Sequence, residues 1–240
     1  MMRWILVACA VCLVATGAGC NRSKQQSTNN SAGSGQVSND LPGDRARAEE
    51  LLEKGKDLYV DDQDAEAVLA FQEAVRLNPE LAEAHFRLGL GYESLGKREE
   101  AESEYKKAVE GYKKYLEEND NDAEAHYELA QTYANLSQYS DAIREYREAT
   151  KLKEDDPDIY YDLGVAYTKL AQYDAAAVAF SKSLEIDPDY YRAQDGLDDA
   201  KEGIKRIRAG RKHQKDLMEK KKEEELKKSG EAAGSPTPQS

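Results

Sequence analysis

The chain has 240 residues, with 34 Lys and Arg against 47 Asp and Glu, which gives a formal net charge of −13. Its mean hydropathy of −0.84 excludes a polytopic membrane protein, and the acidic balance argues against a general nucleic-acid-binding role. Three Cys are too few for a disulfide scaffold, and six Pro, three Phe and one Trp argue against a β-sandwich or barrel.

The first twenty residues have the features of a secretory signal. Residues 1–3 end in a basic side chain, residues 4–19 carry no charge, and small residues come directly before Cys20. A membrane-spanning helix needs about 20 apolar residues, so this run is short for one. Ala18-Gly19-Cys20 resembles the lipobox of bacterial lipoproteins, although Gly17 stands where an apolar residue is usual. The resemblance implies a signal peptide over 1–19 and lipidation of Cys20. An ordinary cleaved signal and an uncleaved anchor are the alternatives.

Residues 20–46 contain almost nothing apolar after the Cys and are rich in Ser, Asn, Gly and Gln. This composition predicts a disordered, flexible linker. With a lipid at Cys20, such a linker would hold the folded part of the chain away from a bilayer. A disordered N-terminus without a role fits the same composition.

Four segments of the chain share one internal spacing. Gly89 and Tyr92 are followed by Ala101, Tyr105 and Ala108, and matching sets start at residues 55, 130 and 164. This pattern resembles the tetratricopeptide-repeat (TPR) family, whose 34-residue unit is a helix–turn–helix hairpin. Independently, apolar or small residues recur at i, i+3, i+4 and i+7 in each first helix, which places them on one helical face. The units cover residues 48–81, 82–115, 123–156 and 157–190.

The predicted fold class is therefore all-α, a right-handed superhelical solenoid of four TPR repeats with a C-terminal capping and charged helix. Residues 116–122 are an insertion between the second and third repeats. Seven residues make nearly two helical turns, so we expect the second helix of repeat two to be longer by about 10 Å and to break at residues 119–122. The insertion is either tolerated or a docking ridge.

In the TPR family, one face of each first helix lines a concave groove. The resemblance implies that the aromatic line of Phe86, Tyr127 and Tyr161 faces this groove, where exposed aromatic side chains would favour peptide binding. The Lys, Asn and Arg with which some family members bind C-terminal carboxylates are absent from these positions. The alternatives are packing against neighbouring repeats, or a groove filled by the C-terminal helix. The predicted peptide-binding groove consists of Leu52, Lys56, Phe86, Leu90, Tyr127, Gln131, Tyr161 and Val165.

Residues 191–228 are predicted to form the capping and charged helix. The first residues repeat a first-helix pattern that no second helix completes, as expected of a solenoid cap. Residues 201–228 hold 12 basic and 6 acidic residues, which indicates either a solvated helix or a basic contact to an anionic surface. Residues 229–240 contain Gly, Pro and Ser and are predicted to be a disordered tail.

The sequence contains no Gly-rich phosphate loop, no His-Glu-x-x-His motif and no Cys pair in its predicted domain. His85 and His126 hold equivalent positions in adjacent repeats, and without carboxylate partners they are weak candidates for metal ligands. We therefore expect no enzymatic activity, no cofactor, no metal and no small-molecule substrate.

Together these features predict a membrane-tethered TPR scaffold or adaptor lipoprotein that binds a protein or peptide partner in its groove. The layout suits envelope, secretion or pilus-type assembly. The expected location is the bacterial cell envelope, lipid-anchored at the periplasmic face of the outer membrane, with no nucleic-acid partner. The alternative is a soluble intracellular TPR adaptor or co-chaperone that uses the basic C-terminal helix as a second contact.

Overall fold

The computed structural model describes residues 42–233, with side chains over residues 43–227. The predicted signal peptide, Cys20 and most of the predicted linker lie outside the described residues. Among the described helices, none combines the length and the apolar character needed to cross a membrane. Residues 42–233 form nine α-helices: α1 (Pro42–Val60), α2 (Asp64–Leu77), α3 (Ala82–Ser94), α4 (Arg98–Leu116), α5 (Ala123–Asn135), α6 (Tyr139–Leu152), α7 (Pro157–Lys169), α8 (Tyr173–Ile186) and α9 (Tyr191–Ala233).

The first eight helices pair into four hairpins, α1/α2, α3/α4, α5/α6 and α7/α8. The second helix of each hairpin packs against the first helix of the next hairpin, and α9 packs on α8 in the place of a fifth first helix. The predicted all-helical fold of stacked helix–turn–helix units is confirmed.

Each hairpin closes with an aromatic ring of the second helix lying on a small residue of the first. A Cβ atom added at Gly89 would lie 2.5 Å from the ring of Tyr105, and one added at Gly164 would lie 2.6 Å from the ring of Phe180. These distances are too short for a side chain, so glycine lets the two helices approach to ring contact. The repeated spacing in the sequence is therefore the spacing of this ring-on-backbone contact.

The four turns inside the hairpins share one geometry. Each has three residues, and the central one has a positive φ: Asp62 (58°), Gly96 (73°), Ser137 (59°) and Ala171 (55°). In the second hairpin the Lys97 amide donates to the Tyr92 carbonyl at 2.8 Å, and the Gly96 amide donates to the Glu93 carbonyl at 2.9 Å. This is the Schellman arrangement that closes a helix C-terminus.

The insertion after repeat two lengthens one helix, as predicted. α4 has 19 residues, whereas α2, α6 and α8 have 14 each. Five extra residues add about 7.5 Å, slightly less than expected, because the helix ends at Leu116. After the break, the Asp122 side chain caps α5 by accepting hydrogen bonds from the Glu124 and Ala125 amides, each at 3.1 Å.

The helical part extends further at both ends than the sequence indicated. α1 begins at Pro42, inside the predicted linker, where Pro and Asp44 in the first turn suit a helix start. α9 continues to Ala233, beyond residue 228 and into the predicted tail. The chain has no Pro between Pro188 and Pro236 to interrupt it.

The turns provide a matched test of backbone strain. Gly96→Ala should lower the free energy of unfolding and Ala171→Gly should raise it, each by about 0.5–1 kcal/mol, because a left-handed φ disfavours residues with a Cβ. A Cβ at position 96 would meet nothing within 4 Å, so only the backbone is tested. Urea unfolding of both variants measures the effect. If both variants changed the free energy of unfolding in the same direction, the explanation by backbone strain would be wrong.

Candidate functional site

Two of the predicted groove residues belong to the core. Leu52 and Phe86 are 3% and 2% exposed. The ring of Phe86 packs against Tyr105 on the second helix of its own hairpin, with centroids 6.2 Å apart. The prediction that Phe86 presents an exposed aromatic ring is wrong, because Phe86 covers the Tyr105 ring that lies on Gly89.

The other two aromatic residues of the predicted line are only partly buried, but they pack in the same way. Tyr127 lies against Tyr146 with centroids 5.9 Å apart. Tyr161 lies against Phe180 at 5.8 Å, and its free edge meets Tyr190 at 5.4 Å. The aromatic line is thus a packing layer between first and second helices.

A hollow of about 340 Å³ opens beside this layer, lined by the first helices α3, α5 and α7 and by the second helix α6. Four of the eight predicted groove residues line it: Phe86, Leu90, Gln131 and Val165. Of the remaining four, Leu52 is core, Lys56 pairs with Glu83, and Tyr127 and Tyr161 are in the packing layer. Seven further lining residues are not among the eight predicted groove residues: Arg87, Ala134, Asn135, Tyr139, Tyr146, Asp162 and Ala166.

A ladder of charged groups crosses the first helices on the same side. Lys56 Nζ on α1 lies 2.8 Å from a Glu83 carboxylate oxygen on α3. Arg87 lies 3.3 Å from that carboxylate and 3.0 Å from a Glu128 carboxylate oxygen on α5. The ladder ties three successive repeats together, and hydrogen bonds to charged groups exceed neutral ones in strength.

Glu128 is a buried carboxyl group at the centre of this ladder. Besides the bond from Arg87, it accepts a hydrogen bond of 2.7 Å from the buried Tyr112 hydroxyl. Burial, with a contribution from the nearby Glu83 charge, raises the pKa of Glu128 to about 7, although Tyr112 and Arg87 oppose the shift.

Asp162 supplies a carboxylate to the hollow itself. It accepts hydrogen bonds from the Tyr127 hydroxyl at 2.9 Å and from the Gln131 side-chain amide at 3.3 Å. Both donors are neutral, and burial raises the pKa of Asp162 above its usual value. Arg192 on α9 stacks 4.5 Å from the Tyr161 ring and partly offsets this shift. A partly buried carboxylate with neutral donors, open to a hollow, is suited to receive a cationic group.

The expectation that the two histidines lack carboxylate partners is wrong. His85 Nδ1 lies 2.6 Å from Glu104, and His126 Nδ1 lies 2.9 Å from Glu145. The Nε2 atoms lie 3.1 Å and 3.2 Å from the carbonyl oxygens of Pro79 and of Asp120. Each histidine therefore fastens the preceding loop to its own hairpin. Among the described residues, no group of three His, Cys, Asp or Glu could hold a metal ion.

A signal for the missed residues was present in the sequence. A charged residue directly follows the predicted groove position in every repeat, as Glu53, Arg87, Glu128 and Asp162. Successive residues on a helix point about 100° apart, so this charged row runs beside the predicted groove row on each first helix. Charge in phase with the repeat indicates an organised polar row.

Comparisons with known proteins identify the repeats. Models described as "Tetratricopeptide repeat" match residues 52–115, 112–144 and 157–190, and one described as "TPR repeat" matches residues 135–170. Together the matches extend over residues 52–190, more than half of the chain. No curated protein matches the sequence.

Solved structures of two other proteins are similar to this chain. The Pseudomonas aeruginosa protein pilF is 17% identical, with a TM-score of 0.53, and the match covers 71% of this chain and 74% of that one. The protein MamA is 23% identical, with a TM-score of 0.49, covering 80% of this chain and 98% of that one. At 17% identity, the pilF likeness shows the shared fold.

The buried carboxyl group generates a pH prediction. The pKa of Glu128 is raised on folding, so its contribution to stability is complete below about pH 4.5 and is lost as the pH rises through about 7. Glu128→Gln removes this titration. The free energy of unfolding of wild type minus that of the variant should fall by on the order of 2 kcal/mol between pH 4.5 and pH 8.

Urea unfolding across this pH range measures the difference. Glu110→Gln is the control, because Glu110 is an exposed residue of α4. If the Glu128 difference were as flat as the Glu110 difference, Glu128 would not be a destabilised buried carboxylate.

Proposed function

The chain belongs to the tetratricopeptide-repeat proteins, and we propose that it is a membrane-tethered scaffold whose first-helix hollow binds a segment of a protein partner. TPR proteins are protein–protein interaction scaffolds and are generally non-catalytic. The observation that carries the proposed groove binding is the hollow beside α3, α5 and α7, with its apolar walls and the partly buried carboxylate of Asp162. The proposed setting is envelope, secretion or pilus-type assembly.

The composition of the hollow defines the segment that fits it. Leu90 and Val165 offer apolar surface, while Gln131 and Asn135 supply amide groups and Asp162 a charge. A volume of about 340 Å³ is at the lower end of the range of ligand pockets and suits one or two side chains of a longer segment. We infer a helical or extended segment that inserts an apolar side chain and brings a Lys or Arg towards Asp162.

The tether in this proposal is the lipid at Cys20. Residues 21–41 separate it from the start of α1. A flexible chain of that length has a root-mean-square extent of about 25 Å. Two or three acyl chains bind a bilayer firmly, since each buried CH₂ contributes about 0.8 kcal/mol. The proposed location is the bacterial envelope, at the periplasmic face of the outer membrane.

Fatty-acid labelling in growing cells tests the tether. Wild type should incorporate a clickable palmitate analogue and sediment with membranes, whereas Cys20→Ser should do neither. Cys9→Ser and Cys12→Ser are matched controls, because the predicted cleavage removes both residues, and these variants should label like wild type. An unlabelled, soluble wild-type chain would favour the intracellular adaptor instead.

Charge placed in the hollow tests the groove. Leu90→Lys with Val165→Lys should reduce the amount of crosslinked partner captured from intact cells by about tenfold or more, because cations replace apolar surface at the anchor point. The matched control is Leu69→Lys with Val178→Lys, since these side chains are 65% and 71% exposed on second helices. Circular dichroism checks that both variants remain helical. Undiminished capture by the hollow variant would refute groove binding.

A further inference from the structure

The second half of α9 extends beyond the stack of hairpins. The first half is docked on α8: added Cβ atoms at Gly196 and Gly203 would lie 2.7 Å from the Phe180 ring and 2.6 Å from the Tyr173 ring. From residue 208 to residue 227 every residue is exposed. That is about 30 Å of helix, which the fold of one copy does not use.

One face of this extension has an apolar anchor between cations. Met218 is 67% exposed. Arg211, Lys215 and Lys222 lie seven residues before, three before and four after it, so all four side chains are on one side of the helix. Glu219 borders this face, and its carboxylate lies 3.8 Å from Lys215 Nζ. Met is flexible and polarisable and fills irregular apolar cavities well. The Met218 face of α9 therefore matches the segment expected to fit the hollow, an apolar side chain with a Lys or Arg nearby.

The charges of the two halves of the chain are complementary. Residues 48–200 hold 17 basic and 38 acidic residues, a net charge of −21, whereas residues 201–228 have a net charge of +6. Opposite charges on two surfaces favour their encounter and fix their register. The extension cannot reach the hollow of its own copy, because α9 is a single unbroken helix fixed to α8 at its first half.

We propose that the chain associates with itself, with the Met218 face of α9 in one copy docked in the hollow beside α3, α5 and α7 of a second copy. This inference rests on the proposed function, because the hollow must be a binding surface. The contact joins two different surfaces, so it is heterologous and can add further copies until a ring closes. Self-association also occupies the hollow and competes with any other partner.

Sedimentation velocity of the full chain in a nonionic detergent, across a hundredfold range of protein concentration, tests the contact. Lys215→Glu with Lys222→Glu should raise the dissociation constant by about tenfold or more, because it reverses both flanking charges. Lys220→Glu with Lys227→Glu makes the same change of net charge on the opposite face of the helix and should leave the constant within about twofold. Added salt should weaken the wild-type association.

A mixing experiment distinguishes this contact from pairing of two α9 helices. The Lys215→Glu, Lys222→Glu copy retains its hollow, and the Leu90→Lys, Val165→Lys copy retains its helix. A heterologous contact predicts that each is a monomer alone and that the mixture forms a dimer of one copy of each. Pairing of α9 with α9 predicts no such recovery.

A chain that is monomeric at every concentration, equal effects of the two charge-reversal variants, or no recovery on mixing would each overturn the inference. Suppose that one of these results rules out self-association. If the Leu90→Lys, Val165→Lys variant then captures less crosslinked partner in cells, the proposed groove binding remains supported. If this variant captures as much partner as wild type, both the self-association and the groove binding are refuted.

Discussion

The contact between an aromatic ring and a small residue is the constraint on which the rest of the structure depends. Because Phe71, Tyr105 and Phe180 lie directly on Gly55, Gly89 and Gly164, each hairpin has only one way to close. In the third hairpin, Ala130 and Tyr146 hold the corresponding positions, and both are buried in the same core cluster. The ring position fixes the spacing of the two helices, and the repeated spacing sets the first helices side by side.

The polar ladder follows from that alignment. Since the first helices are in register, Lys56, Glu83, Arg87 and Glu128 meet across three repeats without any loop taking part. The same register brings Tyr127 to Asp162 at the next step. Apolar packing thus holds each hairpin together, while hydrogen bonds and ion pairs specify the order of neighbouring first helices.

The sequence predicted these elements to different degrees. The repeated spacing of residues such as Gly89 and Tyr105 was enough to predict the hairpins and the turns inside them. The seven-residue insertion was enough to predict a longer α4. Burial depth was not predictable, because periodicity shows which face a residue occupies but not how thick the layer above it is, and so Phe86 was misplaced. The His85–Glu104 contact was also missed, because its partners are nineteen residues apart on different helices. The helix ends were missed because composition alone did not distinguish a solvated helix from a disordered tail.

The two carboxyl groups on the first-helix side are best understood through binding. Burial raises the pKa of both Glu128 and Asp162, so their ionised forms destabilise the free fold. Glu128 is paired with Arg87, whereas Asp162 accepts hydrogen bonds only from the neutral groups of Tyr127 and Gln131, and the charge of Arg192 offsets its desolvation only in part. A cation entering the hollow would offset the cost of desolvating the ionised Asp162 and would lower its pKa. In the proposed complex a basic segment would therefore stabilise the ionised form of Asp162, and a Lys or Arg at that point would be favoured over an apolar residue of equal size.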